Sequence, residues 1–224
     1  MIVLDDLLID GIKIFQDDEL YRFTSDAVIL SKFASYKKGD VVADFCSGSG
    51  IVGLHFYALN KGVKSVDFIE IQEELYNLSK KTIEFNKLED KFNAINLPIQ
   101  ELPKEYNSKY SLILCNPPYK KIGSGEPNSN LKIAMCRHEI TVTQDIIIET
   151  AYKKLKHGGR LCMCQRTERF IELINKFTSV GLTPSRLQFI VNSSGKAPYL
   201  FMIEGVKGVK PQLKILPEFV NVGV

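Results

Sequence analysis

At 224 residues the chain fits one α/β domain and is short for two. Its 45% apolar and 25% charged content is ordinary for a soluble globular protein with a core of useful size. The start, Met1 to Asp10, is acidic and lacks the basic region of a signal peptide, and no apolar run approaches membrane-spanning length. The five cysteines, at 46, 115, 136, 162 and 164, form no CxxC pair and read as reduced thiols of a cytoplasmic protein. The net charge of +3 is unevenly spread: Thr150 to Val224 holds 12 Lys and Arg against 4 Asp and Glu, a net +8, and the remainder is −5. A basic C-terminal third suggests a polyanionic partner or a solvated surface.

In chain order, Leu7 to Phe15 reads as a hairpin turning at Asp10-Gly11. Thr24 or Ser25 can cap a helix through Ala27, Ile29, Leu30 and Phe33. The pattern then alternates: strand 41–45, helix 51–60, strand 65–70, helix 73–86, and short strands at 92–96 and 110–115. Lys120 to Ala134 is the longest irregular stretch and is expected to be a functional loop or an insertion. Thr143 to Lys156 reads as a helix with Ile146, Ile147, Ala151 and Leu155 inward, stopped at Gly158-Gly159. Strand 160–165, a helix over 168–180 ending at Gly181, and strands 185–191 and 199–205 follow. Cys162 and Cys164 alternate along one strand as packed side chains. Alternating strands and helices imply a mainly parallel sheet of seven strands, and the last two strands are joined too closely for a crossover, so they pair antiparallel. Residues 1–38 form an N-terminal hairpin and helix extension, 39–206 the core and 207–224 a basic tail of a single domain.

Two segments carry chemistry: Asp44-Phe45-Cys46-Ser47-Gly48-Ser49-Gly50 and Asn116-Pro117-Pro118-Tyr119. Each follows a buried strand, and loops leaving the carboxyl ends of such strands line the ligand crevice of an α/β sheet. Gly48 and Gly50 let backbone approach a ligand, and the helix that follows directs free N–H groups into the crevice. No Walker lysine is present, which disfavours a nucleoside triphosphate. Glu70 ends the next strand, where a carboxylate can accept from both ribose hydroxyls of a nucleoside cofactor. Asp44 would orient the loop or meet the cofactor's amino group. In the second segment the Asn116 side-chain oxygen and the Pro117 carbonyl offer acceptors to the two N–H bonds of a flat NH2 group, two prolines stiffen the backbone, and Tyr119 can stack on a base.

These motifs resemble those of class I S-adenosylmethionine-dependent methyltransferases, whose Asn-Pro-Pro-Tyr members act on planar NH2 groups of adenine, cytosine, guanine or protein glutamine. Tyr21-Arg22-Phe23-Thr24-Ser25-Asp26-Ala27, Cys136-Arg137-His138-Glu139, Lys156-His157-Gly158-Gly159-Arg160-Leu161 and Glu204-Gly205-Val206-Lys207-Gly208-Val209-Lys210-Pro211 resemble the bacterial tRNA1(Val) adenine-N6 methyltransferase family. The resemblance runs from about Tyr21 to Leu213. It implies a Rossmann-like class I fold, S-adenosylmethionine as cofactor, and tRNA as partner through the adenine beside the anticodon. No second histidine stands at ligand spacing from His138-Glu139, so no metal is expected, and no membrane; a monomer is favoured over an oligomer. Asn116, Pro117, Pro118 and Tyr119 would be catalytic. Thr24, Asp26, Asp44, Cys46, Ser47, Gly48, Gly50, Glu70, Ile71, Asn96 and Asn116 would hold the cofactor, with Thr24 and Asp26 over its methionine end. Arg137 and His138 would sit near the acceptor pocket or RNA. Lys196, Lys207, Lys210 and Lys214, in the last hairpin and tail, read from the sequence as phosphate contacts or as a solvated strand edge. Two positions depart from the family: Cys46 replaces a first glycine, and Asn96-Leu97 replaces an acidic residue near the cofactor adenine. The alternatives are protein glutamine N5-methylation, disfavoured because only about forty residues precede the cofactor strand, and a non-catalytic binder of cofactor or RNA.

Overall fold

The computed structural model describes residues 1–20, 23–117 and 142–222. The N-terminal hairpin is present but sits further out than its turn residues suggest. Strands β1 (Ile2–Asp6) and β2 (Lys13–Asp17) pair antiparallel around a turn at 7–12. Leu8, Asp10 and Gly11 all take positive φ there, so the turn is longer than a two-residue Asp-Gly connection. Helix α1 (Ser25–Phe33) starts after Thr24, whose side chain makes no capping bond.

The central sheet follows the expected alternation. It contains β3 (Val41–Phe45), α2 (Ile51–Leu59), β4 (Ser65–Ile69), α3 (Glu73–Phe85), β5 (Phe92–Ile95), β6 (Tyr110–Cys115), α4 (Gln144–Lys154), β7 (Leu155–Arg166), α5 (Phe170–Val180), β8 (Leu182–Val191) and β9 (Leu200–Lys207). Two short strands, β10 (Lys214–Ile215) and β11 (Phe219–Val220), extend it beside β8. The order is β10-β8-β9-β7-β6-β3-β4-β5, with β11 also on β8. Neighbours from β5 to β7 are parallel, and β9 lies antiparallel between β7 and β8. The stretch expected to be a basic tail therefore adds two strands to the sheet edge.

The period-2 alternation of the strands divides the core into two faces. Val42, Leu112, Leu114, Cys162 and Cys164 pack with α1, α2 and the hairpin on one side. Ala43, Phe45, Ile113, Cys115, Leu161 and Met163 pack with α4 and α5 on the other.

One boundary differs from expectation. Helix α4 ends at Lys154, before the glycine pair, and β7 begins at Leu155. Leu155 already pairs with Tyr110, and the register shifts before Leu112 meets Arg160. The Lys154 ammonium donates to the carbonyls of Leu102 and Pro103 and to Asn107 Oδ1, tying the helix end to a neighbouring loop. Tertiary pairing, rather than glycine, stops the helix. Lys120 to Ala134 lies outside the described residues.

Candidate active site

The parallel strands finish level with one another: Phe45 pairs with Ile69 and Cys115, and Ile69 with Ile95. The loops that follow thus open side by side, which is where an α/β sheet holds a ligand. The cleft between them is lined by Cys46, Ser47, Gly48, Glu70, Ile71 and Asn116, together with Phe23, Gln72, Gln100 and Val142.

The first loop is shaped by left-handed backbone at alternate positions: Cys46 φ 55°, Gly48 φ 57° and Gly50 φ 91°. A Cβ on Gly50 would lie 2.8 Å from the Phe68 ring, so glycine is required there both sterically and conformationally. A Cβ on Gly48 would meet nothing within 4 Å. Cys46 occupies a conformation that glycine tolerates better, at a cost on the order of 1 kcal/mol. The Ser47 N–H donates to the Ile69 carbonyl at 3.1 Å and fixes the loop to β4. The Ser47 hydroxyl is buried with no hydrogen-bond partner among the described residues.

Asp44 lies fully buried below the loop and outside the cleft lining. Its Oδ2 accepts from the Gly53 N–H at 2.8 Å, so it orients the loop through the first turn of α2. Burial pushes its carboxyl well above the carboxylate range, the Gly53 bond opposes this, and nearby Glu70 adds to it. Glu70 faces the cleft and accepts from Gly48 N–H at 2.8 Å and Gln72 N–H at 2.9 Å. Burial raises its pKa against those bonds. Asn96 is a brace: its amide donates to the carbonyls of Glu70 and Ile71 at 2.8 and 3.0 Å, and Leu97 rather than Asn96 reaches the cleft.

On the opposite wall, Cys115 pairs with Met163, so one step further out Asn116 comes beside Cys164. The Cys164 thiol donates to Asn116 Oδ1 at 2.8 Å. Cys164 is fully buried, as is Cys162. The Cys115 thiol is pushed well above its usual value, first by burial and then by Cys46 and Asp44 beside it. Pro117, next in the chain, is buried. Pro118, Tyr119, Arg137 and His138 lie outside the described residues.

Other expected site residues fall elsewhere. Neither Thr24 nor Asp26 lines the cleft, whereas adjacent Phe23 does. Gly50 shapes the loop from behind. Lys207 does not present a free charge: its ammonium donates to the carbonyls of Tyr152 and Leu155 at 2.6 and 2.7 Å and lies 4.5 Å from the Tyr152 ring centroid. Burial lowers its pKa. This lysine closes the end of α4, which corrects its reading as a phosphate contact. Lys196 sits in the β8–β9 turn at the cleft end of the sheet, and Lys210 follows β9 at the other. The intervening β9 is eight residues long, or about 26 Å. The C-terminal lysines thus do not form one surface. The third cleft loop was expected only at Asn96-Leu97, beside the cofactor adenine; Pro98 to Gln100 also line the cleft, since the loop too leaves the carboxyl end of a strand. Among the described residues, no three His, Cys, Asp or Glu are grouped to hold a metal, and no helix is long and apolar enough to cross a membrane.

The fold and cleft define a methyltransferase of the doubly wound α/β type. Comparison with known sequences makes the assignment specific: the methyltransferase small domain profile matches residues 23–191, and the chain belongs to that family. It is 24% identical over 180 residues to the tRNA1(Val) (adenine(37)-N6)-methyltransferase of Shewanella woodyi, covering 79% of this chain and 72% of that protein. Its identity to the Flavobacterium psychrophilum protein of the same description is 23% over 189 residues, covering 83% and 80%. Among solved structures, an Agrobacterium tumefaciens protein described as a predicted O-methyltransferase superposes with a TM-score of 0.66 at 15% identity, over 87% of this chain and 86% of that one. The Methanocaldococcus jannaschii tRNA m1G37 methyltransferase gives 0.62 at 19% identity, over 93% and 57%.

Proposed function

We propose that this chain transfers the methyl group of S-adenosylmethionine to N6 of an adenine in tRNA, and that the target is the anticodon-adjacent adenine of tRNA1(Val). The observation that carries the reading is the position of Asn116 in one cleft with Gly48 and Glu70. The curated relatives that share this description cover most of the chain.

The cleft suits the cofactor. The Ser47 hydroxyl is buried there with no described partner, the space beside Gly48 is open, and Glu70 offers carboxylate oxygens. Glu70 would accept from ribose hydroxyls, Ile71 and Leu97 would flank the adenine, and the loop N–H groups with Ser47 would meet the methionine end. When bound, S-adenosylmethionine supplies an electrophilic methyl group on its sulfonium. The protein's part is to hold the acceptor. An adenine amino group is a weak nucleophile because its lone pair is delocalised, and it must become more tetrahedral to attack. Asn116 Oδ1 and the Pro117 carbonyl accept from its two N–H bonds and favour that geometry in the transition state. The methylated nitrogen becomes acidic and sheds its proton afterwards, so no strong base is required at the outset. Holding the nitrogen in line supplies much of the remaining acceleration.

Asn116→Ala tests this assignment. Single-turnover methyl transfer falls by about 10²–10³-fold, as for loss of one oriented transition-state contact, and cofactor affinity by calorimetry stays within about threefold. Unchanged transfer would remove Asn116 from the mechanism.

A further inference from the structure

Among the described residues, a group of basic segments lies at the end of the sheet away from the cleft. The segments entering the amino ends of β3, β4 and β5, residues 34–40, 60–64 and 86–91, carry six lysines against Asp40, Glu89 and Asp90. The cleft loops 46–50, 70–72 and 96–102 carry Glu70 and Glu101 and no lysine or arginine. At the amino end, a groove of about 320 Å³ is bounded by Lys37, Lys38, Lys156 and His157. All four are exposed.

The groove is a built part of the fold. Its floor is the buried Arg160–Asp40 pair, in which one guanidinium nitrogen reaches both carboxylate oxygens at 2.7 Å. Ser111 Oγ and the Lys37 N–H also donate to Asp40, each at 2.7 Å. Asp40, the only carboxylate lining the groove among the described residues, is thus already neutralised, and the rim stays positive. Backbone bonds from Gly39 N–H to the Gly62 carbonyl and from Lys64 N–H to the Asp40 carbonyl, each 2.8 Å, hold the loop of Lys61 and Lys64 against that of Lys37 and Lys38. Gly208 lies so close to His157 that a Cβ there would be 2.4 Å from Nδ1, which brings the segment of Lys210 to the same rim. No carboxylate among the described residues pairs with Lys37, Lys38, Lys64 or Lys156, whereas Lys61 pairs with Asp10 at 2.9 Å.

We infer that this groove is a second RNA-binding surface, which takes backbone phosphates of the tRNA distant from the nucleotide in the cleft. The inference rests on the proposed tRNA reading for its partner. Several unpaired ammonium groups around an uncharged floor suit a row of phosphates, which fix position without reading sequence. The two ends of the sheet are about 26 Å apart along β9, a distance covered by roughly eight to ten base pairs of stem. A whole tRNA reaches both ends, and an isolated short stem-loop does not.

The test compares the full chain with Lys37→Glu/Lys38→Glu/Lys156→Glu, and with the milder Lys→Gln set should the first not fold. Binding to full-length tRNA and to an anticodon stem-loop of about five base pairs is titrated across salt, with calorimetric cofactor affinity as the folding control. The inference expects the variant to bind full-length tRNA at least about tenfold more weakly, with its logarithmic salt slope smaller by about 2–3. Affinities for the stem-loop and the cofactor should change less than about twofold. An unchanged affinity and slope for full-length tRNA would overturn it, as would equal weakening toward the stem-loop. If wild type methylates no tRNA yet the variant still loses RNA binding, the surface stands and the substrate reading falls.

Discussion

The bond between Cys164 and Asn116 sets the orientation of the amide on which acceptor chemistry depends. An asparagine amide has one accepting and one donating end, and the thiol at 2.8 Å selects the oxygen as the acceptor on that side. An amide oxygen can accept twice, so this bond does not prevent a further one. Cys164→Ala should lower kcat about fivefold, the equivalent of one modest hydrogen bond of ~1 kcal/mol, with little change in cofactor affinity. Cys164→Ser, which keeps a donor at that site, should recover most of the rate. Equal losses in both variants would point to packing instead of orientation. At this scale the sequence was legible where a residue's chemistry is local. Gly48, Glu70 and Asn116 meet in one cleft as their strand-end positions required. Asn96 and Lys207 turn to partners that no local pattern announces, because where each side chain points depends on neighbours distant in the chain. Asn96 braces Glu70 and Ile71, and Lys207 is held by the end of α4.

Among the elements, α1 and α2 share a buried polar contact that makes their packing sensitive to acid. Ser31 on α1 lies 2.7 Å from His55 Nδ1 on α2 while its own hydroxyl donates to the Val28 carbonyl, so the neutral imidazole donates to Ser31. Burial, with Lys32 adding, pushes the His55 pKa down to about 4. The unfolded chain takes up this proton near pH ~6.5. Its contribution to stability is therefore complete above that pH and is lost as pH falls toward 4, by an amount on the order of 3 kcal/mol. Asp44 and Glu70, with raised pKa values, act in the opposite direction, so the comparison is between wild type and His55→Gln. Urea unfolding at pH 7, 5.5 and 4.5 should show wild type losing stability relative to the variant as pH falls, and parallel losses would contradict the assignment. The elements themselves followed from periodicity, with helix and strand ends within a few residues. The α4 end and the two edge strands did not. Leu155 is drawn into the sheet by Tyr110, and Lys214 and Phe219 pair with β8 through contacts that no local pattern announces.

At the scale of the whole molecule, the main consequence of the topology among the described residues is that the cleft and a basic rim lie at opposite ends of the sheet. Parallel strands send every β–α loop to one end and every returning segment to the other. Here the first set contains Gly48, Glu70 and Asn116, and the second carries the paired loops of Lys37, Lys38, Lys61 and Lys64. The sequence showed a basic C-terminal third, but the surface is assembled from segments across the chain, which only the sheet order reveals. The account stands or falls on what accepts the methyl group. Labelled S-adenosylmethionine, offered with bulk unmodified tRNA beside rRNA, DNA and a release factor, should place label in tRNA, recovered as N6-methyladenosine. Label in the protein acceptor, in DNA, or in nothing despite cofactor binding would contradict it.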